Sequence, residues 1–221
     1  MSRTHIRLAV AVMVEAMLIA SLASSATFRQ PVRLSEMAGT SDLIVVGTIT
    51  NVAEDRFTVG VSQKLHGEDA RSLVDVEIPR RSPDEARWTP YANGQTILAF
   101  LVDRPGPTRP AQRRLHLAGF GGDGEFPVDN RFVYFVGHYI DGLPVETHYL
   151  GGAKFPAQRY DRSLSLDAIA SLSACFKWAR SNTGATGVTR SCDDARLNAY
   201  RERSPIHRFL ADETIARLKP Q

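Results

Sequence analysis

Residues 119–126 read Gly-Phe-Gly-Gly-Asp-Gly-Glu-Phe and satisfy G-x-G-x-x-G, the pattern of a dinucleotide-binding turn. Such a turn holds a pyrophosphate because a helix starts directly after it, supplying amide donors and the positive end of its dipole. Here Pro127 comes next, and then the run Arg131-Phe-Val-Tyr-Phe-Val136, which carries strand signals. In the competing G-x-x-x-x-G-K pattern, Glu125 takes the lysine position and sets a negative charge where phosphate would sit. The glycines are therefore read as a bulge or tight turn in a sheet, and no phosphate site is assigned.

Other chemistries fare no better. His66, His116, His138, His148 and His207 show none of the usual metal spacings such as H-x-x-x-H or H-x-H. Asp141-Gly142 is the strongest short hairpin signal. A two-residue loop there pairs Ile140 with Leu143, setting His138 opposite Val145 and His148 opposite Phe135 on the other side of the sheet, where the two rings cannot share an ion. No G-x-S-x-G elbow is present. Asp84-Glu85 and Asp193-Asp194 fall in polar or helix-start contexts where solvated and capping roles are the default. No catalytic, cofactor-binding or metal-binding residue is assigned. An enzyme would need a site assembled from distant residues such as His66, His116 and Glu125, as in an extracytoplasmic hydrolase or metal-dependent enzyme.

The elements that would carry any site begin after an export signal. Arg3 and Arg7 precede an apolar run that ends in small residues, with Ser24 and Ala26 placed for cleavage after Ala26. Glu15 within that run disfavours a permanent span, so no membrane span is expected after cleavage. The formal net charge of +3 gives no basis for a nucleic-acid partner. Cys175 and Cys192, the two cysteines, are expected to form a disulfide in the oxidising compartment, worth about 3 kcal/mol for a loop of this size.

Five strand signals run through 42–52, 56–65, 73–78, 96–103 and 115–119. The first is apolar on both faces and suits a central strand; the third alternates, with one face wet. The long Pro-rich loop before Thr96 carries Trp88 and Tyr91, which serve either as exposed aromatic anchors or as rings closing a barrel end. A second loop brings Arg104, Arg109, Arg113 and Arg114 beside them, and these six residues are the expected partner-contact surface. The hairpin around Asp141-Gly142 comes next, its returning strand marked as an edge by Pro144. After Gly152 the β pattern gives way to helices: one from Ser165, its N-cap, toward Asn182, with Ile169, Leu172, Phe176 and Ala179 on one face, a second over 193–203, and a third opened by Ser204 and Pro205. The disulfide is expected to tie the first helix to the start of the second.

The order of strands, with Ser41-Asp-Leu-Ile-Val-Val-Gly, Lys64-Leu-His-Gly-Glu, Gly94-Gln-Thr-Ile-Leu and Leu117-Ala-Gly-Phe-Gly-Gly, resembles the OB-type barrel of netrin-like domains and tissue inhibitors of metalloproteinases over Asp42 to Val128. The resemblance implies a barrel and contact with protein or glycan outside the cytoplasm, here in an exported bacterial protein. Those inhibitors insert an N-terminal cysteine into a metalloprotease; no cysteine lies near Ala26, so that activity is not carried over. The expected fold is mostly β with C-terminal helices (α+β), a five-stranded OB-like barrel plus an added hairpin and a helical tail. Its parts are a signal peptide over 1–26, the barrel and hairpin over 27–152, and a helical region with the disulfide over 153–221. The expected function is a non-enzymatic binding module of the periplasm or secreted space, without cofactor, whose partner is an envelope protein or glycan.

Overall fold

In the computed structural model the chain is described over residues 32–68, 71–79, 87–105, 113–119, 122–180 and 186–218. A short helix that the sequence pattern did not signal, α1 (Leu34–Thr40), buries Leu34 and Met37 ahead of the barrel. The β-branched runs then form β1 (Leu43–Val52), β2 (Arg56–His66), β3 (Leu73–Glu77), β4 (Thr96–Pro105) and β5 (Arg113–Leu117). Strands neighbour one another in the order β1-β2-β3-β5-β4, with β3 and β5 parallel. A further β1–β4 ladder, from Leu43 opposite Leu101 to Thr48 opposite Thr96, closes the ring. The result is the five-stranded OB-type barrel expected from the strand order.

Two cores, one inside the barrel and one outside it, explain why β1 and β4 are apolar on both faces. Leu43, Val45 and Ile49 of β1 join Ile97, Ala99 and Leu101 of β4, together with Phe57, Val59, Val74 and Val76, in the barrel's own core. Their alternates, Ile44, Val46, Leu98 and Phe100, belong to a second core built with α1 and the C-terminal helices. Phe57, Phe100 and Phe126 are fully buried, each contributing roughly 1.5–3 kcal/mol of transfer free energy.

The glycine-rich stretch does not open a helix. Gly124 leads into β6 (Glu125–Pro127), which pairs with β4 so that Phe126 lies opposite Leu98. A side chain at Gly124 would sit 2.5 Å from the Ala118 carbonyl oxygen, and Gly119 has φ of +79°. Gly119 supplies the positive φ that the turn reading called for, and Gly124 permits a close approach of backbones.

The Asp141-Gly142 hairpin is corrected. β7 (Phe132–Phe135), β8 (Glu146–Leu150) and β9 (Ala153–Asp161) form a three-stranded sheet in the order β7-β9-β8, in which both β7 and β8 pair with β9. Leu143 N–H does donate to the Ile140 carbonyl across the expected turn, but the pairing goes no further. The hairpin turn is Gly151-Gly152, where both residues have positive φ, +57° and +79°, as a two-residue turn matched to strand twist requires; at Asp141-Gly142 only the glycine does. Phe135 lies opposite Gln158 and Glu146 opposite Ala157, so residues 136–145 leave and rejoin the ladder at adjacent positions of β9. The buried Gln158 clamps that excursion: its Oε1 accepts from Ile140 N–H, and its Nε2 donates to the carbonyls of Ile140 and Leu143.

The expected boundary at residue 152 therefore falls inside a hairpin turn, and the β pattern continues through β9. The expected long helix is corrected as well. α2 (Arg162–Ser171) is capped by Asp161, whose carboxylate accepts from Leu164 N–H; Ser165 instead sits inside the helix and donates to the Asp161 carbonyl. After the 3-10 turn Leu172–Ala174, β10 (Phe176–Arg180) pairs with β11 (Thr186–Arg190). Phe176 and Trp178 alternate with exposed Lys177 and Ala179, a period of two that the helical spacing of Ile169, Leu172 and Phe176 had masked. The Cys175–Cys192 disulfide closes the base of this hairpin, not a helix pair. α3 (Asp194–Glu202) and α4 (Pro205–Ile215) come last, as expected, with Ser204 at the α4 N-cap and Pro205 in its first turn. From Pro31 onward the chain clusters as one unit.

Candidate functional site

Trp88 and Tyr91, two of the residues expected to meet a partner, are half-buried and packed against the barrel core. Tyr91 stacks on Phe57 with ring centroids 4.5 Å apart, and Trp88 meets Phe155 at 5.3 Å. Between them the Arg87 guanidinium lies 4.6 Å from the Trp88 ring and 4.1 Å from the Tyr91 ring. It forms a two-pronged ion pair with Glu125, at 2.7 and 3.1 Å, and the Tyr91 hydroxyl donates to the same carboxylate at 2.9 Å. Side-chain exposure is 5% for Arg87 and 0% for Glu125. Charges taken out of water this completely persist only when paired and hydrogen-bonded, which this cluster achieves. The backbones of Arg104, Arg113 and Arg114 stand at the β4–β5 end, Arg104 opposite Arg114, and Arg109 lies outside the described residues.

His66, at the end of β2, His116, on β5, and Glu125 are not gathered into one site. His116 faces Glu77 at 4.0 Å, whereas Glu125 is committed to Arg87. Among the described residues no group of three or more His, Cys, Asp or Glu is placed to hold a metal ion. His138 packs edge-on against Phe126, centroids 5.0 Å apart. His148 lies opposite Phe155, not Phe135, and bonds through Nε2 to the Ala157 carbonyl oxygen at 3.1 Å.

What the structure does assemble is a cleft of about 660 Å³, mixed polar and apolar, between the end of β2, the turn before β7 and the start of α2. Arg131 and Arg162 line it with Asp161 and Asp167, and Gln63 and Asn130 add side-chain amides. Its apolar strip is Leu65, Leu166 and Ala170. Each wall is held by its own network. Asp129 accepts from Arg131 N–H and Phe132 N–H, both at 2.7 Å, and from the Tyr134 hydroxyl at 2.6 Å, which fixes the turn presenting Asn130 and Arg131. Burial alone would raise the Asp129 pKa, but the Tyr134 hydroxyl and the two amides outweigh it and hold the carboxyl below its usual range. Burial, and then the bond to Asp129, push Tyr134 up to about 12. Asp161 is likewise held low, chiefly by the Leu164 amide and then by the Ser163 hydroxyl.

Asp167 is held from behind. His207 Nε2 and Arg203 Nη1 approach its Oδ2 at 3.0 and 3.2 Å, and Ser204 Oγ lies 2.8 Å from His207 Nδ1. A neutral ring with its proton on Nε2 satisfies both neighbours, donating to Asp167 and accepting from Ser204. Burial lowers the His207 pKa against the pull of Asp167. Sequence reading missed this Ser204–His207–Asp167 chain because only the S-x-x-H spacing across the first turn of α4 is local; Asp167 arrives from another helix. Ser204 is only 7% exposed and the His207 side chain is fully buried.

No known protein family, curated protein or solved structure matches this chain, so the likeness to netrin-like domains extends no further than the five-stranded barrel.

Proposed function

We propose that this chain is an exported, non-enzymatic binding module of the cell envelope that takes its partner, an envelope protein or a glycan, in the cleft between β2 and α2. The observation that carries the reading is that the carboxylates of that cleft are already engaged by hydrogen-bond donors. Paired-carboxylate hydrolysis of a glycan needs one acid kept protonated, whereas the Leu164 amide holds Asp161 ionised and Asp167 accepts from two cationic or polar donors. Pre-positioned groups of both signs suit recognition more than proton transfer. The export signal lies outside the described residues and remains a reading of the sequence. The disulfide fits an oxidising compartment, and among the described residues no helix is long and apolar enough to cross a membrane. Arg104, Arg113 and Arg114 at the β4–β5 end are a second contact element of the proposal, with Arg109 included from the sequence alone.

Crosslinked capture from the native cells tests it, comparing the wild type with Gln63→Ala/Arg131→Ala. Both residues are exposed, so melting should be unchanged while capture is lost; undiminished capture would remove the cleft from the reading. Stoichiometric transition metal in the purified mature protein would favour a metal-dependent enzyme instead.

A second reading, a serine hydrolase, is favoured by the Ser204–His207–Asp167 chain, which has the nucleophile, base and orienting acid of such enzymes with the ring nitrogens exchanged. The burial of Ser204 weighs against it. Labelling of Ser204 by a fluorophosphonate, abolished in Ser204→Ala, would make this the leading reading.

A further inference from the structure

Resting on the binding-module reading, we propose that the cleft between β2 and α2 is a saccharide site whose ligand is a hydroxyl-rich oligosaccharide without net charge, held and not cut. The lining charges balance: Arg131 and Arg162 stand against Asp161 and Asp167. A polyanion would meet the two carboxylates and a polycation the two guanidinium groups, and the whole-chain charge of +3 steers neither strongly. What matches the lining is a group that donates and accepts at once. A sugar hydroxyl donates a hydrogen bond to an aspartate while accepting one from an arginine, and the amides of Gln63 and Asn130 serve either role.

Protein partners are captured chiefly by aromatic or arginine anchors seated in deep, dry sockets. Here the apolar part is a strip of three side chains, Leu65, Leu166 and Ala170, of a size to cover the C–H face of a pyranose, and no aromatic residue is among the described lining. The volume of about 660 Å³ falls in the range of roughly 300–1,000 Å³ typical of small-ligand sites.

The polar groups are also set before a ligand arrives. Asp161 caps α2 through Oδ1, where both Leu164 N–H and the Ser163 hydroxyl bond. Asp167 is fixed by His207 and Arg203, and the turn carrying Arg131 by Asp129. Arg162 N–H donates to the Arg131 carbonyl at 2.8 Å and its Nη1 to the Asp129 carbonyl at 3.3 Å, so the turn and the helix start are bonded to each other. Pre-organisation of this kind lowers the ordering cost of binding a flexible chain of sugars.

Titration calorimetry and amide chemical-shift mapping of the mature protein test the assignment, with short uncharged oligosaccharides of glucose, galactose and N-acetylglucosamine as probes and polygalacturonate as the anionic comparison. Saturable binding of an uncharged probe is expected, weakened about fivefold or more by Gln63→Ala and by Arg131→Ala, as for loss of one hydrogen bond. Tyr149→Ser, on the exposed face of β8, leaves it unchanged. Gln63→Ala sits at an exposed strand position and serves if Arg131→Ala disturbs the ring of Phe132, over which the guanidinium lies 5.1 Å from the centroid. Binding of polygalacturonate alone, or of no saccharide, overturns the inference. If capture of an envelope protein still depends on Gln63 and Arg131, the binding-module reading survives that failure; if it does not, both fall. Release of reducing ends from a bound probe overturns the claim that the ligand is held and not cut.

Discussion

Replacing His138 with leucine should remove a defined block of acid sensitivity from the fold. The residue is 9% exposed, its ring meets Phe126 edge-on, and its Nε2 makes no hydrogen bond among the described residues. Desolvation, opposed by a backbone bond at Asp123, lowers its pKa from 6.5 to about 4. A histidine depressed in the folded state is protonated first in the unfolded chain. Its contribution is therefore complete above pH 6.5, declines as pH falls through the interval, and is gone below about pH 4. At about 1.36 kcal/mol per unit, the loss across that interval comes to about 3 kcal/mol. Urea unfolding of wild type and His138→Leu, run from neutral pH to pH 4 with the disulfide intact, measures it. The stability of the wild type relative to the variant should fall by about 3 kcal/mol over the interval. His207, also depressed, and the low carboxyls Asp129 and Asp161 are common to both proteins and cancel in the difference. Parallel pH profiles would refute the reasoning and mean that the ring reaches water or a partner in solution.

Glu125→Ala, which strands the buried Arg87 guanidinium, should cost roughly 3–5 kcal/mol in chemical denaturation, whereas Arg87→Met with Glu125→Leu should cost far less; equal losses would mean the pair is solvated. Gln158→Leu leaves one amide and two carbonyls of the 136–145 excursion without their clamp and should destabilise by about 3 kcal/mol, with faster hydrogen exchange at the Ile140 amide as the local readout. Converting Cys175 and Cys192 to serine opens a crosslink spanning 17 residues and should lower stability by about 3 kcal/mol in the chain-entropy account, read from the shift in urea midpoint. Because the bond ties only the β10–β11 hairpin, the barrel's β1–β4 amides should keep their relative protection.

The barrel was legible because its strands announce themselves locally. Val74, Val76 and Ile78 alternate with Asp75 and Glu77, and β1 carries apolar residues on both faces because two cores flank it. The glycines at 119 and 124 were readable from their C-terminal neighbours, since Glu125–Pro127 is a strand and no helix stands there to hold an anion. Misreadings arose where two local signals competed and a distant contact decided. Asp141-Gly142 and Gly151-Gly152 both signal a hairpin; only the second has the pair of left-handed residues, and Gln158 converts the first into an excursion. Phe176 and Trp178 fit helical spacing as well as strand alternation, and pairing with Thr186–Arg190 settles the matter. The cleft was invisible to sequence reading because its walls come from 63–65, 130–131 and 161–170, and no local motif joins them.

Ring closure between β1 and β4 sets an order of assembly. Leu43 meets Leu101 across the two intervening strands, whereas β2 pairs with its neighbour in sequence, so the larger loop-closure cost falls on the β1–β4 ladder. Until β4 is in place, β1 has one edge paired with β2 and the other bare, with apolar side chains on both faces. A bare apolar edge is a template for pairing with another chain, so the β4 ladder is what shields segment 43–49 from aggregation.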